Sequence, residues 1–350
     1  MDDSMGNAKY NKIVGTGGIG KGMLFHSDEM TTLGRSESRL VRLSGAKDYC
    51  KQHIVLHYAA ALLRGQTAIY PIGYVGCDEI GHKLIDKMER SGMNVRFVGK
   101  SETESTMLSI CLQYPDKEGC NFTAKNNAAL HVTPEYIKNC MECLDIDENT
   151  IVAVIPEVPV ESRLAMLAYG KEKGAYCVLS VPAAEAGEFI RQKAFSSCDL
   201  LAVNEEEAAA ILGEELEQKE LAERLYLKLV KENPNIELLL TCGKKGAYSV
   251  TRSLIEHIPP LSSRTVNTTG AGDAFLGGTL AGIAMGLTLQ KGREDAVFGE
   301  TKLSSAAELG TLCAGMAVES EDSIASHVGY ETVCQKISDE GMESEAWFIK

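Results

Sequence analysis

The sequence predicts an α/β protein, and three observations carry that reading. Short apolar runs at Ile151–Ile155, Tyr176–Val181, Leu200–Val203 and Glu237–Thr241 have the length and composition of strands buried on both faces. Between them lie amphipathic stretches of helical length, Val160–Lys173, Glu205–Leu212 and Gln218–Lys231, and this alternation is that of βαβ units in a parallel sheet. Two later segments, Ala271–Leu289 and Ser304–Val318, are rich in Ala, Gly, Leu and Met and poor in charge. They read as helices buried against a core and against each other.

The N-terminal third has a different texture. A strand starts at Lys12–Val14, and Val55–Leu63 and Asp78–Ser91 read as helices. Met107–Gln113 and Asn121–Thr123 alternate like strands around a turn at Pro115–Gly119. A small antiparallel sheet set into an α/β domain fits this pattern, and such an insert suits a lid over a site.

At about 150 residues per domain, 350 residues correspond to two domains or to one large α/β unit with an accessory piece. No Pro/Ser/Gly-rich linker divides the chain, which favours the single unit. Hydrophobic residues make up 44 % and charged residues 24 %, a balance that excludes wholesale disorder. With 35 basic against 49 acidic residues the formal net charge is −14, which argues against general nucleic-acid binding or attachment to an anionic membrane. No apolar run approaches the ~20 residues of a membrane span. The start, MDDSMGNAKYNK, lacks the basic-then-apolar layout of an export signal. The eleven cysteines therefore read as reduced thiols of a cytoplasmic protein.

The most specific segment is Val266-Asn267-Thr268-Thr269-Gly270-Ala271-Gly272-Asp273-Ala274-Phe275, which runs into the small-residue helix. Gly270 and Gly272 allow a tight turn and close backbone approach. The helix that follows aims its N-terminus at the same place, which makes an anion site suited to a phosphate. An Asp in that first turn is out of place for attracting an anion. It makes sense as the acceptor of a proton from a hydroxyl that attacks the phosphate. The blander alternative is an Asp that N-caps a Gly-rich turn.

The turn belongs to a longer, ordered pattern. Gly270-Ala271-Gly272-Asp273 with Ala274–Gly278 resembles the GAGD anion-hole motif of the ribokinase-like (PfkB) carbohydrate kinase family. Asn204-Glu205-Glu206-Glu207, directly after a strand, resembles its N-x-x-E motif. Leu240–Ala247 resembles the strand–turn segment of its nucleotide site, and Gly73–Gly81 its early V-G-x-D-x-x-G element. The likeness runs from about Lys12 to Val328. It implies a three-layer fold with a mainly parallel sheet, as one domain over 1–350, whose small lid comes from parts of about 15–50 and 96–130. It also implies ATP-dependent phosphorylation of a hydroxyl on a sugar or sugar-like molecule. Asp273 would then be the general base, and the N–H groups of Gly270, Ala271 and Gly272 the anion hole. Asn204 and Glu207 would organise Mg²⁺ through water, and Thr241, Gly243 and Gly246 would line the nucleotide pocket. The residues by themselves also read more simply: Asn204 is a good helix cap and three glutamates suit a first turn. The resemblance leaves room for a monovalent cation and for a homodimer, because lid sheets in this family often pair across a dimer.

Two departures touch the chemistry. Asn267 stands where the family usually has Asp, which removes a charge near the metal and phosphates. The G-G-x-x-x-N segment that binds sugar hydroxyls is replaced by Lys51-Gln52-His53-Ile54-Val55-Leu56, and the usual N-terminal substrate Asp has only Asp28 as a candidate. The region offers Arg35, Lys51 and His53 instead, with Glu37, Arg39, Lys47, Asp48 and His57 nearby. Some of these could replace the sugar contacts, and their basic character would suit an anionic acceptor. A kinase of a nucleoside or cofactor precursor, or a catalytically impaired ligand-binding homologue, are the alternatives.

Other motifs carry less. Gly15-Thr16-Gly17-Gly18-Ile19-Gly20 fits a dinucleotide fingerprint, but no helical stripe follows it, so it reads as a strand-end turn with room for a ligand near the backbone. Gly22 stands where a P-loop needs Ser or Thr. Cys140-x-x-Cys143 has no second pair at zinc spacing, and His53 and His57 read as satisfied core histidines. Trp347, in the acidic tail, suggests nothing catalytic.

Overall fold

A computed structural model describes residues 8–116, 119–291, 302–340 and 343–344. Trp347 and part of the turn at Pro115–Gly119 lie outside the described residues. The chain begins with β1 (Lys12–Thr16), then β2 (Gly20–His26), β3 (Arg42–Leu43), β4 (Asp48–Tyr49), α1 (Lys51–Leu63), β5 (Ala68–Gly76), α2 (Glu79–Arg90), β6 (Val98–Ser101), β7 (Met107–Gln113) and β8 (Gly119–Thr123). It continues through α3 (Pro134–Cys143), β9 (Thr150–Val154), α4 (Val160–Glu172), β10 (Tyr176–Leu179), α5 (Ala186–Arg191), β11 (Leu200–Asn204), α6 (Glu205–Leu212), α7 (Gln218–Leu229) and β12 (Glu237–Thr241). A hairpin, β13 (Ala247–Val250) and β14 (Ile255–Ile258), precedes α8 (Ala271–Ala284), α9 (Ala306–Ala317) and α10 (Tyr330–Asp339).

Nine strands form the central sheet in the order β14-β13-β12-β11-β10-β9-β1-β5-β6. All pairings from β12 to β6 are parallel, and the β13–β14 hairpin joins antiparallel at one edge. One face packs on α1, α2, α8, α9 and α10 through residues such as Leu56, Met88, Leu280, Leu309 and Ile337. The other packs on α3 to α7 through Ile137, Met166, Phe189, Ile211 and Leu225. Burial on both faces is why β9 is apolar throughout, with all five residues buried.

The second sheet has the order β3-β2-β7-β8, with β4 also on β2. Three of its pairings are antiparallel and one, β2 with β7, is parallel. Its strands lie within the two segments expected to supply the lid. No helix among the described residues is long and apolar enough to cross a membrane.

The small-residue helices meet because glycine lets them. A Cβ on Gly278 of α8 would fall 2.8 Å from Cys313 Sγ and 3.0 Å from Gly310 Cα. Gly277 lies against α1, where a Cβ would fall 2.5 Å from the Val55 carbonyl. Two boundaries differ from the sequence pattern. α8 ends at Ala284 because Gly286 takes φ +93, not at Leu289. α1 starts at Lys51, four residues before Val55, because buried Gln52 donates to the carbonyls of Gly15 (2.9 Å) and Ile72 (3.2 Å). Gly278→Val should destabilise the protein by about 2 kcal/mol in urea unfolding, through overpacking of the α8–α9 contact.

Candidate active site

From β1 the chain proceeds to β5 and β6 on one side, then returns to place β9 on the other. The carboxyl ends of β1 and β9 therefore flank the switch point at which open α/β sheets bind ligands. There the Ile155 N–H donates to the Thr16 carbonyl (2.8 Å) and the Gly18 N–H to the Pro156 carbonyl (3.0 Å). Gly18 has no room for a side chain: a Cβ would fall 2.6 Å from Glu157 Cβ and 3.1 Å from Met107 Sδ. The glycine run is thus a strand-end turn, and the strand β2, not a helix, follows it.

Glu157 occupies this crevice with φ +78, a strained conformation for a residue with a side chain. Its Oε2 is buried without a hydrogen-bond partner. Burial pushes its carboxyl up to about 7; Asp273 adds to the rise, while Cys50 and Lys51 oppose it. Sequence reading missed Glu157. A Pro-Glu-x-Pro sequence after a buried strand was a signal, but only the strand order makes it a site.

The start of α8 stands across the crevice. Gly270 takes φ +81, and a Cβ there would fall 2.5 Å from the Ser323 carbonyl, so only glycine fits. Ala271 N–H is turned to the Thr268 carbonyl (3.2 Å), whereas Gly272, in the first turn, has no intrahelical acceptor. Asn267 braces the loop. Its Oδ1 accepts from Thr269 N–H (3.0 Å) and its Nδ2 donates to the Glu321 carbonyl (2.8 Å), a bond that an ionised aspartate could not make.

Asp273, half-buried, follows in the first turn of α8. Burial pushes its carboxyl up to about 6; Lys51 opposes the shift, and Glu207 and Asp48 add to it. Lys51 reaches Glu207 Oε1 at 3.2 Å. Burial works against the Lys51 charge, but Asp273, Glu207 and Glu157 hold its pKa above the usual value. The group is an acidic crevice around one lysine.

The residues expected at the nucleotide stand at the neighbouring strand ends. Asn204 and Thr241 are register partners at the ends of β11 and β12. Asn204 Oδ1 accepts from Glu207 N–H (2.8 Å), and Glu207 Oε2 accepts from Asn204 N–H (2.9 Å), so the motif is also a capping box. Gly243 (φ +51) and Gly246 (φ +87) close the turn after β12, where Cys242 N–H donates to the Gly246 carbonyl (2.8 Å). Among the described residues no three or more His, Cys, Asp or Glu side chains are grouped to hold a metal.

The remaining candidates disperse. Asp28 pairs with Arg42 (2.7 Å) on the exposed lid, and Arg35 is exposed in the loop between β2 and β3. Arg39 is tied to Glu37 and to the Thr31 carbonyl, and Lys47 to Asp322. His53 is fully buried, both ring nitrogens lack partners, and its ring lies 4.9 Å from that of Tyr49. Burial, with His57 and Lys87 adding, pushes its pKa down to about 3, so it is neutral. Of the basic residues expected at the acceptor, only Lys51 stands beside Asp273.

The sequence pattern of the pfkB family carbohydrate kinases matches residues 55–328. A ribokinase of Lactococcus lactis is 27 % identical over 218 residues, covering 62 % of this chain and 67 % of its own. Fructokinase-2 of Oryza sativa is 24 % identical over 279 residues, covering 76 % and 78 %. In fold, the chain is similar to the solved ribokinase of Giardia lamblia, with TM-score 0.79 and 18 % identity over 95 % of this chain and 99 % of that one.

The carboxyl of Glu157 starts from an ordinary value of 4.5 and is raised to about 7 in the folded protein. The folded state therefore binds more protons than the unfolded one between these values, and stability falls as pH rises through that window. Glu157→Gln should raise the Tm at pH 8, with the advantage fading as the pH falls towards 4.5, while catalytic activity drops.

Proposed function

This chain belongs to the pfkB family of carbohydrate kinases, and we propose that it transfers the terminal phosphoryl group of ATP to a hydroxyl of a sugar or sugar-like molecule. The observation that carries this reading is Asp273: a half-buried carboxylate in the first turn of a glycine-led helix, with its pKa raised to about 6, close to the pH at which a general base must work. Asp273 takes the hydroxyl proton, the oxygen forms its bond to phosphorus, and the bond to ADP breaks. The Gly270–Gly272 turn and the α8 N-terminus face the charge that develops on the transferring group.

Asn204, Thr241, Gly243 and Gly246 would line the nucleotide, with Asn267 keeping the anion-hole loop in shape. Both Glu207 oxygens are engaged, one by Asn204 N–H and one by Lys51, so the donor set suits contact with Mg²⁺ through water. Such an ion would neutralise phosphate charge. Glu157 would bind acceptor hydroxyls at the switch point. Carboxylates outnumber cations there, which favours a neutral polyol over an acid, and the ribokinase and fructokinase relatives support a monosaccharide.

The chain reads as one kinase domain whose lid excludes water when closed. The outer lid face exposes Leu43 (60 %) and Phe122 (64 %), with Ile110 opposite Phe122, and this supports a homodimer through the lid.

Asp273→Asn should lower kcat by about 10²–10⁴-fold with ATP binding by calorimetry little changed. The acid limb of the wild-type pH profile should fall near 6. Near-normal turnover in Asp273→Asn refutes the assignment. In an ADP-release assay, D-ribose and D-fructose should stimulate more than the corresponding sugar acids. Sedimentation should show a dimer that Phe122→Asp converts to a monomer.

A further inference from the structure

We propose that Tyr58 is a positioning residue for phosphoryl transfer: its buried hydroxyl pins segment 318–325 to α1 and so holds the carbonyl against which the Gly270 turn is built. This rests on the kinase reading above.

α1 is buried almost all round, and Tyr58, at 0 % exposure, carries a hydroxyl into that apolar packing. A buried hydroxyl is costly unless it is bonded. Here the oxygen accepts from the Ala325 N–H at 2.9 Å, across 267 positions of sequence. Burial pushes the phenol far above its usual pKa; the Ala325 N–H opposes the shift, and Cys313 and Asp273 add to it, so the group stays neutral. Packing alone needs only the ring, which a phenylalanine would supply. The oxygen serves the bond to Ala325.

The ring stands at the α1–α8 contact. Tyr58 lies two turns after Lys51 on α1, and a Cβ on Gly277 would fall 2.8 Å from Tyr58 Cβ. Gly277 is one turn after Asp273 on α8. The two helices that carry Lys51 and Asp273 thus also hold the anchor of the segment.

The segment has other ties. The Val318 carbonyl accepts from Val266 N–H (2.7 Å) and Asn267 N–H (3.1 Å), and the Glu321 carbonyl from Asn267 Nδ2 (2.8 Å). Ser323 N–H donates to the Lys47 carbonyl (3.0 Å). Those partners lie in the loop before α8 and beside the lid strand β4, whereas Tyr58 ties the segment to a core helix. Ser323, two residues before Ala325, presents the carbonyl that abuts Gly270. Without the hydroxyl, the Ala325 N–H is left buried and unpaired, and the segment must shift to satisfy it. A shift at Ala325 reaches Ser323 and, through it, the turn proposed to face the transferring group. That turn acts on charge that develops only during transfer, so the loss falls on kcat rather than on either KM.

Tyr58→Phe keeps the ring and removes the oxygen. Assayed well below its Tm with D-ribose and D-fructose as acceptors, it should show kcat about tenfold lower, with the KM of ATP and of the acceptor within about threefold. Hydrogen exchange of the 318–325 amides should speed up about tenfold or more, with exchange in β9 to β12 unchanged. Ile137→Val, which trims the core on the opposite face of the sheet, should lower the Tm and keep kcat within about twofold. A Tyr58→Phe protein with normal kcat overturns the proposal, and so does a fall in kcat without faster exchange at 318–325, a change confined to KM, or an equal loss of kcat in Ile137→Val. Each of these leaves the kinase reading in place. A wild-type protein that phosphorylates neither sugar overturns both.

Discussion

The site depends on the closeness of α1 and α8. Gly277 brings the two helices together at the Val55 carbonyl. Four residues back from each of these lie Asp273 and Lys51. One helical turn of parallel travel therefore delivers the lysine to the carboxylate, and the ion pair of Lys51 with Glu207 extends the contact to α6. Glycine at 278 and 310 fixes α8 from the other side, against α9. A carboxylate held this way has little freedom to drift, which suits the role proposed for it.

The two halves of the crevice are built differently. At the ends of β11 and β12 the candidate residues belong to ordinary local structure: Asn204 and Glu207 cap a helix, and Gly243 and Gly246 turn a hairpin. Local folding alone accounts for these residues, and the proposed nucleotide contacts would be added to it. At the switch point beside β1 and β9, local rules are broken instead. Glu157 has a positive φ and an orphaned oxygen, and like charges crowd Asp273. Raised carboxyl pKa values record that cost, and strain of this kind gathers where a ligand is expected to relieve it.

This division explains what could be read from the sequence. The βαβ alternation from Thr150 to Thr241 and the paired small-residue helices were legible because burial imposes period and composition on them. The anion-hole loop and the N-x-x-E segment were legible because glycine and capping residues have local signatures. The wall at the switch point was not. Glu157 becomes visible only when the strand order puts β9 beside β1. The basic residues of the 35–57 region looked like a recognition set, yet Arg39 and Lys47 have acidic partners nearby and His53 faces Tyr49 and Lys87. β5 and the β13–β14 hairpin escaped because glycine, proline and polar residues interrupt their apolar runs.

Segment 318–323 joins two parts of the crevice. It bonds to the loop at Val266 and Asn267 on one side and to Lys47 and Tyr49 of the lid on the other. Asp48 lies on that lid strand, and its charge is one of those that raise the proton affinity of Asp273. The loop that leads into α8 and the lid strand are therefore tied to one short segment.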